Sequence, residues 1–285
     1  MKIFEILKKA KDELKKYNKP LNDAEILLAY MLKKDRTYIH AHMDLEVDDD
    51  FKNEFLNFIN QRIKGRPLQY IIGEWEFYGL KFKVKEGVLI PRPDTEILVE
   101  KCLELLKNIP NPKVIDIGCG SGAISISIAK YKEDATVLAL DIDDIPLEIT
   151  KLNAKINGVS DRVIVKKSDI LKNLGEEFLG KADIIVSNPP YIKEDEIESL
   201  MVEVKDFEPR LALSGGEDGL YFYRQISFQS KPYLKSGGFI AFEIGYNQAE
   251  DVKKILIDNG FDDIKIYKDL SGLDRVVIAK KVDNA

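Results

Sequence analysis

Cysteine and histidine are scarce in this chain, with two of each in 285 residues. Cys102 and Cys119 make no spaced pairs, so neither a disulfide framework nor a zinc site is expected. His40 and His42 stand close together with no cysteine nearby, and a surface loop is the expected setting rather than a metal. Positive charge is not in surplus. The formal net charge is -6, with both signs mixed along the chain. Gripping a nucleic-acid backbone needs a dense basic face, so direct nucleic-acid binding is disfavoured. No apolar run approaches the roughly 20 residues that span a bilayer, so no membrane association is expected. Met1-Lys2-Ile3-Phe4-Glu5 reads as the start of a charged amphipathic helix and not as a signal peptide. A cytoplasmic protein is the expectation.

What is present is enough for a sizeable core. The apolar fraction is 45%, and the length suits one large or two ordinary domains. Residues 1–70 read as helices. Ile3, Ile6, Leu7, Ala10 and Leu14 recur at helical spacing. Asn22 or Asp23 is the expected cap of a second helix through Ala24, Leu27, Leu28 and Met31. After Asp48 to Asp50, the residues Phe51, Phe55, Phe58, Ile59 and Ile63 mark a third stripe. This head carries no phosphate loop and no catalytic cluster, so it suits holding a partner. Gly65-Arg66-Pro67 ends it. From 71 to 91 the pattern changes to short strands around Gly79, a β-hairpin linker.

Residues 92–285 read as a third, larger region. A helix starts at Asp94 or Thr95, and strands then alternate with helices. Strands are expected at 113–117, 136–140, 162–166, 183–187 and 239–244, with a closing pair at 264–268 and 275–279. Such alternation predicts an α/β fold, an open seven-stranded doubly wound sheet with an antiparallel hairpin at its end.

Two stretches on this sheet carry chemistry. Gly118-Cys119-Gly120-Ser121-Gly122 follows the first of these strands and precedes a helix, so it is a nucleotide-binding candidate. It departs from the G-x-G-x-x-G dinucleotide pattern. Asp116 lies just before it. Asp141 ends the next strand, where a carboxylate can accept both ribose hydroxyls, and Asp169 follows the third on the same edge. The second stretch is Asn188-Pro189-Pro190-Tyr191, after the apolar run 182–187. The prolines fix their own φ and restrict the residue before them. The result is a stiff loop that offers carbonyl oxygens and a phenol ring, able to grip a planar NH2 group.

The Asp-x-Gly-x-Gly-x-Gly turn, the later Asp141, Asp169-Ile170 and Asn-Pro-Pro-Tyr together resemble class I S-adenosylmethionine-dependent methyltransferases. Three further stretches narrow the resemblance. They are Arg66 to Gly73, Val88-Leu89-Ile90-Pro91-Arg92-Pro93-Asp94-Thr95-Glu96, and Leu211 to Leu220. With the helical head they resemble the PrmC/HemK family, the peptide chain release factor glutamine N5-methyltransferases. That resemblance implies a Rossmann-like methyltransferase sheet and S-adenosyl-L-methionine as cofactor. It implies a cofactor site at Asp116, Gly118, Cys119, Gly120, Ser121, Gly122, Asp141, Asp169, Ile170 and Asn188. It implies Asn188, Pro189 and Tyr191 as catalytic residues, with Pro190 and Arg92 also on the substrate. The implied partner is a release factor, held by its Gly-Gly-Gln loop and by a second contact to the helical region. An adenine-N6 or guanine-N2 methyltransferase of nucleic acid would use the same loop and is the alternative. A nicotinamide dehydrogenase would explain the glycine loop but not Asn188 to Tyr191.

Overall fold

The computed structural model describes residues 1–282, so the last three residues of the expected 92–285 region lie outside the described residues. The chain forms two compact units. One comprises 1–74 with 201–207, the other 75–200 with 208–285.

The first unit is helical: α1 (Ile3–Lys16), α2 (Asn22–Leu32), α3 (Arg36–Ala41), α4 (Asp49–Ile63) and α5 (Leu68–Ile72). The apolar residues expected on α1 are all buried, as are Ala24, Leu27 and Leu28 of α2 and Phe55 and Ile59 of α4. Asp48 caps α4 by accepting the Phe51 N–H at 2.8 Å. The expected cap of α2 is not made. Leu21 occupies that position, and Asp23 instead turns inward to accept from Arg62 at 2.6 Å. A buried guanidinium competes successfully for that carboxylate. The histidines also differ from expectation. His40 lies in the last turn of α3 and His42 caps its end, both exposed, with the His42 ring stacked on Tyr38 at 4.0 Å. Ile71 and Ile72 are helical rather than extended, because Pro67 opens a short helix that Gly73 closes at φ 76°. The insertion of 201–207 was not legible in the sequence. Glu203 in this segment accepts from Arg62 at 3.0 Å and from Lys19 at 2.7 Å. Burial alone would raise its carboxyl, but these cations hold it at about 2.

A small hairpin, β1 (Glu74–Phe77) and β2 (Leu80–Lys83), which lies in the second unit from Trp75 on, precedes α6 (Thr95–Leu106). Then follow β3 (Lys113–Ile117), α7 (Ala123–Tyr131), β4 (Thr136–Asp141), α8 (Asp144–Ile156), β5 (Val163–Lys167) and β6 (Ala182–Ser187). After the short α9 (Val202–Lys205) of the first unit come α10 (Tyr221–Ser230), β7 (Leu234–Glu243), α11 (Ala249–Asp258), β8 (Phe261–Lys268) and β9 (Asp274–Lys281). The seven-stranded sheet has the order β5-β4-β3-β6-β7-β9-β8. β3 to β7 are parallel, and β9 runs antiparallel to both β7 and β8.

Side chains alternate between the two sheet faces. Val114, Ile184 and Val186 pack under α6 and α7 with Leu98 and Ile126, whereas Ile115, Ile117 and Ile185 pack with Tyr223, Ile226 and Val252 of α10 and α11. All six residues of β6 are buried, as a central parallel strand covered on both faces requires. The strand order reverses between β3 and β6. In an open α/β sheet the crevice at the carboxyl ends of the strands flanking that reversal is the place for a ligand.

Candidate active site

Both chemical stretches emerge at this reversal. Ile117, the last residue of β3, is paired in register with Ser187, the last residue of β6. The Ser187 hydroxyl also donates to the Ile117 carbonyl at 2.7 Å. Neighbouring strands lie about 4.8 Å apart, so the glycine loop and the Asn188 loop leave the sheet side by side.

The glycine loop is braced from within. The N–H groups of Gly118 and Cys119 both donate to the Leu140 carbonyl at 2.8 Å, and that of Gly122 to Cys119 at 2.7 Å. The Gly120 N–H donates to Asp141 Oδ2 at 3.0 Å. These four donors are engaged by the protein itself. A loop that cradles a diphosphate offers such groups to the anion instead, so this one suits a ligand that carries none there. A Cβ built on Gly118 or Gly120 meets nothing within 4 Å, which leaves an open face above the loop. Cys119 and Ser121 have buried side chains, and Cys119 Sγ lies 3.4 Å from Thr150 Oγ1.

Beneath the loop, Asp116 is fully buried. Its Oδ2 accepts from the Ser125 N–H at 3.1 Å and from the Ser125 hydroxyl at 2.5 Å, while Oδ1 has no protein partner. Burial pushes its carboxyl up to about 7, against the pull of the Ser125 hydrogen bonds. Asp141 sits at the end of β4 with its other oxygen taking the Asp143 N–H at 3.2 Å. Burial raises its carboxyl too, against its backbone hydrogen bonds. On the same edge Asp169 is half-buried and paired with Lys172 at 2.6 Å. Ile170 beside it is buried with φ 55°, a costly conformation for a β-branched residue.

One clamp was missed in the sequence. Asn153 of α8 is fully buried, accepts the Lys83 N–H at 2.7 Å and donates to the carbonyls of Lys83 and Ser121 at 3.0 and 2.9 Å. It ties the hairpin edge to the glycine loop. Mid-helix asparagine is a poor helix former, and that was its only signal.

On the other side, Asn188 is half-exposed, Pro189 buried, and Pro190 and Tyr191 half-buried. The Asn188 Nδ2 donates to Thr95 Oγ1 at 3.2 Å, and the Thr95 hydroxyl donates to Glu243 Oε2 at 2.6 Å. This turns the Asn188 amide nitrogen inward. Glu243 ends β7, and burial pushes its carboxyl up to about 7. Burial likewise raises the Tyr191 phenol to about 12, so it stays neutral.

The exit of the loop is packed on the stretch Leu211 to Leu220. Ile192 exchanges backbone bonds with Leu213 and Gly215 at 3.0 and 2.8 Å. A Cβ on Gly215 would lie 2.8 Å from Tyr191 Cα, and one on Gly219 2.5 Å from the Tyr191 carbonyl oxygen. Those two positions therefore exclude a side chain by close approach. Gln248, also missed, donates to the Tyr191 and Gly219 carbonyls at 3.0 and 3.2 Å. Arg92 donates to both Glu208 oxygens at 2.6 Å and stays about one-third exposed at 37%, while the Glu208 side chain is buried. The proline-rich approach to α6 is thereby fixed.

Family models match two parts of the chain: one described as PrmC N-terminal domain over residues 5–73, the other as Methyltransferase small domain over residues 93–207. A release factor glutamine methyltransferase from Clostridium acetobutylicum is 47% identical, over 98% of this chain and 98% of the relative. Another, from Fusobacterium nucleatum, is 46% identical over 99% of this chain and 80% of its own length. Among solved structures, a methyltransferase from Pyrococcus furiosus superposes with a TM-score of 0.53 at 19% identity. It covers 83% of this chain and 100% of its own, and at that identity it speaks for the fold alone.

Proposed function

This chain belongs to the release factor glutamine methyltransferase family, and we propose that it methylates the side-chain amide nitrogen (N5) of the glutamine in the Gly-Gly-Gln loop of a peptide chain release factor. The observation that carries this reading is the pairing of Ile117 with Ser187, which delivers a cofactor loop and an amide-gripping loop to one edge. S-adenosyl-L-methionine supplies the electrophilic methyl carbon.

The residues fit that cofactor. It has no phosphate, in keeping with loop amides that are already engaged. The open face of Gly118 and Gly120 gives it room. Asp141 holds the ribose hydroxyls with its remaining lone pairs. The unpartnered Asp116 Oδ1 faces the need of a buried acceptor for a donor, which the amino-acid end of the cofactor provides. Asp169 and Ile170 border the adenine, and Cys119, Ser121 and Gly122 complete the loop.

The acceptor poses the harder problem. An amide nitrogen shares its lone pair with the carbonyl, and undoing that costs about 18–20 kcal/mol judged from the rotation barrier. Two neutral hydrogen bonds contribute about 0.5–1.5 kcal/mol each, too little to do so alone. Orientation is the larger lever, worth about 7–11 kcal/mol when the reacting atoms are aligned. Asn188 Oδ1 and the Pro189 carbonyl therefore act mainly by accepting the two amide hydrogens and aiming the nitrogen. Their dipoles also meet positive charge as it arrives on nitrogen, so they favour the transition state over the bound substrate. Tyr191 and Pro190 wall the planar amide, and Arg92 borders the substrate. The proton leaves after the nitrogen has become cationic and acidic, so no general base is required before attack.

The helical unit is the proposed second contact to the release factor, and the cytoplasm, where translation ends, is the proposed place of action. Methyl transfer from labelled cofactor to purified release factor, DNA and RNA tests the reading. Label on the Gly-Gly-Gln glutamine alone is expected. Label on a base amino group instead would replace it with the nucleic-acid reading.

A further inference from the structure

We infer that Thr95 and Glu243 are positioning residues for the reaction: a directed hydrogen-bond chain through them fixes which end of the Asn188 amide meets the substrate. The inference rests on the acceptor role of Asn188 given above. The three residues are far apart in sequence, with Thr95 93 positions from Asn188 and 148 from Glu243. They meet because α6 begins where β6 and β7 end.

The direction of the chain follows from counting protons. An ionised carboxylate only accepts. Glu243 Oε2 lies 2.6 Å from the Thr95 oxygen, so the single Thr95 proton goes to it. The Thr95 oxygen is then left to accept, and the donor facing it at 3.2 Å is the Asn188 NH2. Asn188 Oδ1 is thereby turned away from Thr95, where it can accept from a substrate NH2. The two ends of a carboxamide have nearly the same size, so sterics alone do not choose between them.

A proton on Glu243 reverses the logic. The carboxylic acid donates to Thr95, the Thr95 proton is free to point at Asn188, and the flipped amide fits equally well. Its NH2 would then face the substrate NH2, donor against donor. The groups facing Glu243 are the Thr95 hydroxyl and the Asn188 amide, which both hydrogen-bond to it and favour its ionised form, Asp94 ahead of α6, Arg275 on β9, and the Tyr191 and Tyr223 phenols. Arg275 favours the ionised form and Asp94 opposes it, while burial keeps both phenols neutral. Burial brings the Glu243 carboxyl to about 7, so the chain is poised to reverse near neutrality.

The test is the pH profile of single-turnover methylation of the release factor at saturating labelled cofactor, for wild type and four variants. Saturation removes any contribution of Asp116 through cofactor affinity. The wild-type rate should fall on the acid side of about pH 7. Thr95→Val, which keeps the shape and loses the hydroxyl, should slow transfer roughly tenfold at unchanged KM for release factor and unchanged cofactor affinity. Thr95→Ser should restore the rate. Glu243→Gln should abolish the acid limb. Thr95→Val with the wild-type rate, or Glu243→Gln with the acid limb intact, would overturn the inference. The Thr95 pair decides the matter even if Glu243→Gln does not fold. Asn188→Ala is the reference: full activity there would overturn the acceptor reading itself, whereas an inactive Asn188→Ala beside a fully active Thr95→Val overturns the positioning role alone.

Discussion

The loop after β3 is held by its near neighbours in sequence, and the loop after β6 by residues from across the chain. Gly118, Cys119 and Gly120 close onto Leu140 and Asp141 at the end of the adjacent strand. Asn188 and Tyr191 depend on Thr95, Glu243, Gly215, Gly219 and Gln248. A cofactor site can be made from one strand-turn-helix unit and the tip of the next strand. A site that must tell one end of an amide from the other needs directional support, and here that support converges from α6, β7 and the turn before α10.

Substitutions in the two loops should therefore have separable effects. The largest effect belongs to Asn188→Ala, which should cost roughly 100- to 1000-fold in turnover, the scale of losing one preorganised polar contact to a transition state. Rapid-quench transfer of label would measure it. Asp141→Ala should weaken cofactor affinity by roughly 10- to 100-fold, since a carboxylate shared between ribose and the Gly120 N–H is lost. Calorimetric titration reads this directly.

Next comes Gly219→Ala. Its φ of 75° and a Cβ 2.5 Å from the Tyr191 oxygen should destabilise the protein by about 1–3 kcal/mol and slow turnover. Gly118→Ala shares the backbone strain of a positive φ but meets open space, so it should cost less stability than Gly219→Ala and also lower cofactor affinity. Equal melting temperatures for Gly219→Ala and wild type would remove the close packing from the account.

The smallest effect is a slope. Asp116 is raised by burial from 3.8 to about 7. The folded state then binds more protons than the unfolded state between those values, so this contribution to stability is full below about 4 and lost as pH rises through about 7. Glu243 acts with the same sign. Urea unfolding across that range should show a flatter pH dependence in Asp116→Asn, and an unchanged slope would count against the burial argument.

The alternation of apolar strands and amphipathic helices made the sheet legible, because a parallel strand buried on both faces reads as a continuous apolar run. The glycine loop and Asn188 to Tyr191 were legible because their chemistry is local. Thr95 was visible as a helix start within the stretch Val88 to Glu96, and Glu243 only as a polar residue inside the apolar run 239–244. Their meeting depends on strand order, which spacing does not encode. Asn22 and Asp23 misled for the same reason: local capping preference pointed one way, and Arg62, 39 residues on from Asp23, pulled the other.

The division of labour between the two loops is tested most directly by measuring cofactor affinity and single-turnover rate side by side in Asn188→Ala and Asp141→Ala. Asn188→Ala should bind cofactor nearly as wild type does and transfer the methyl group roughly 100- to 1000-fold more slowly. Asp141→Ala should bind cofactor weakly yet approach the wild-type rate at saturation. Loss of affinity and rate together in both variants would contradict that division.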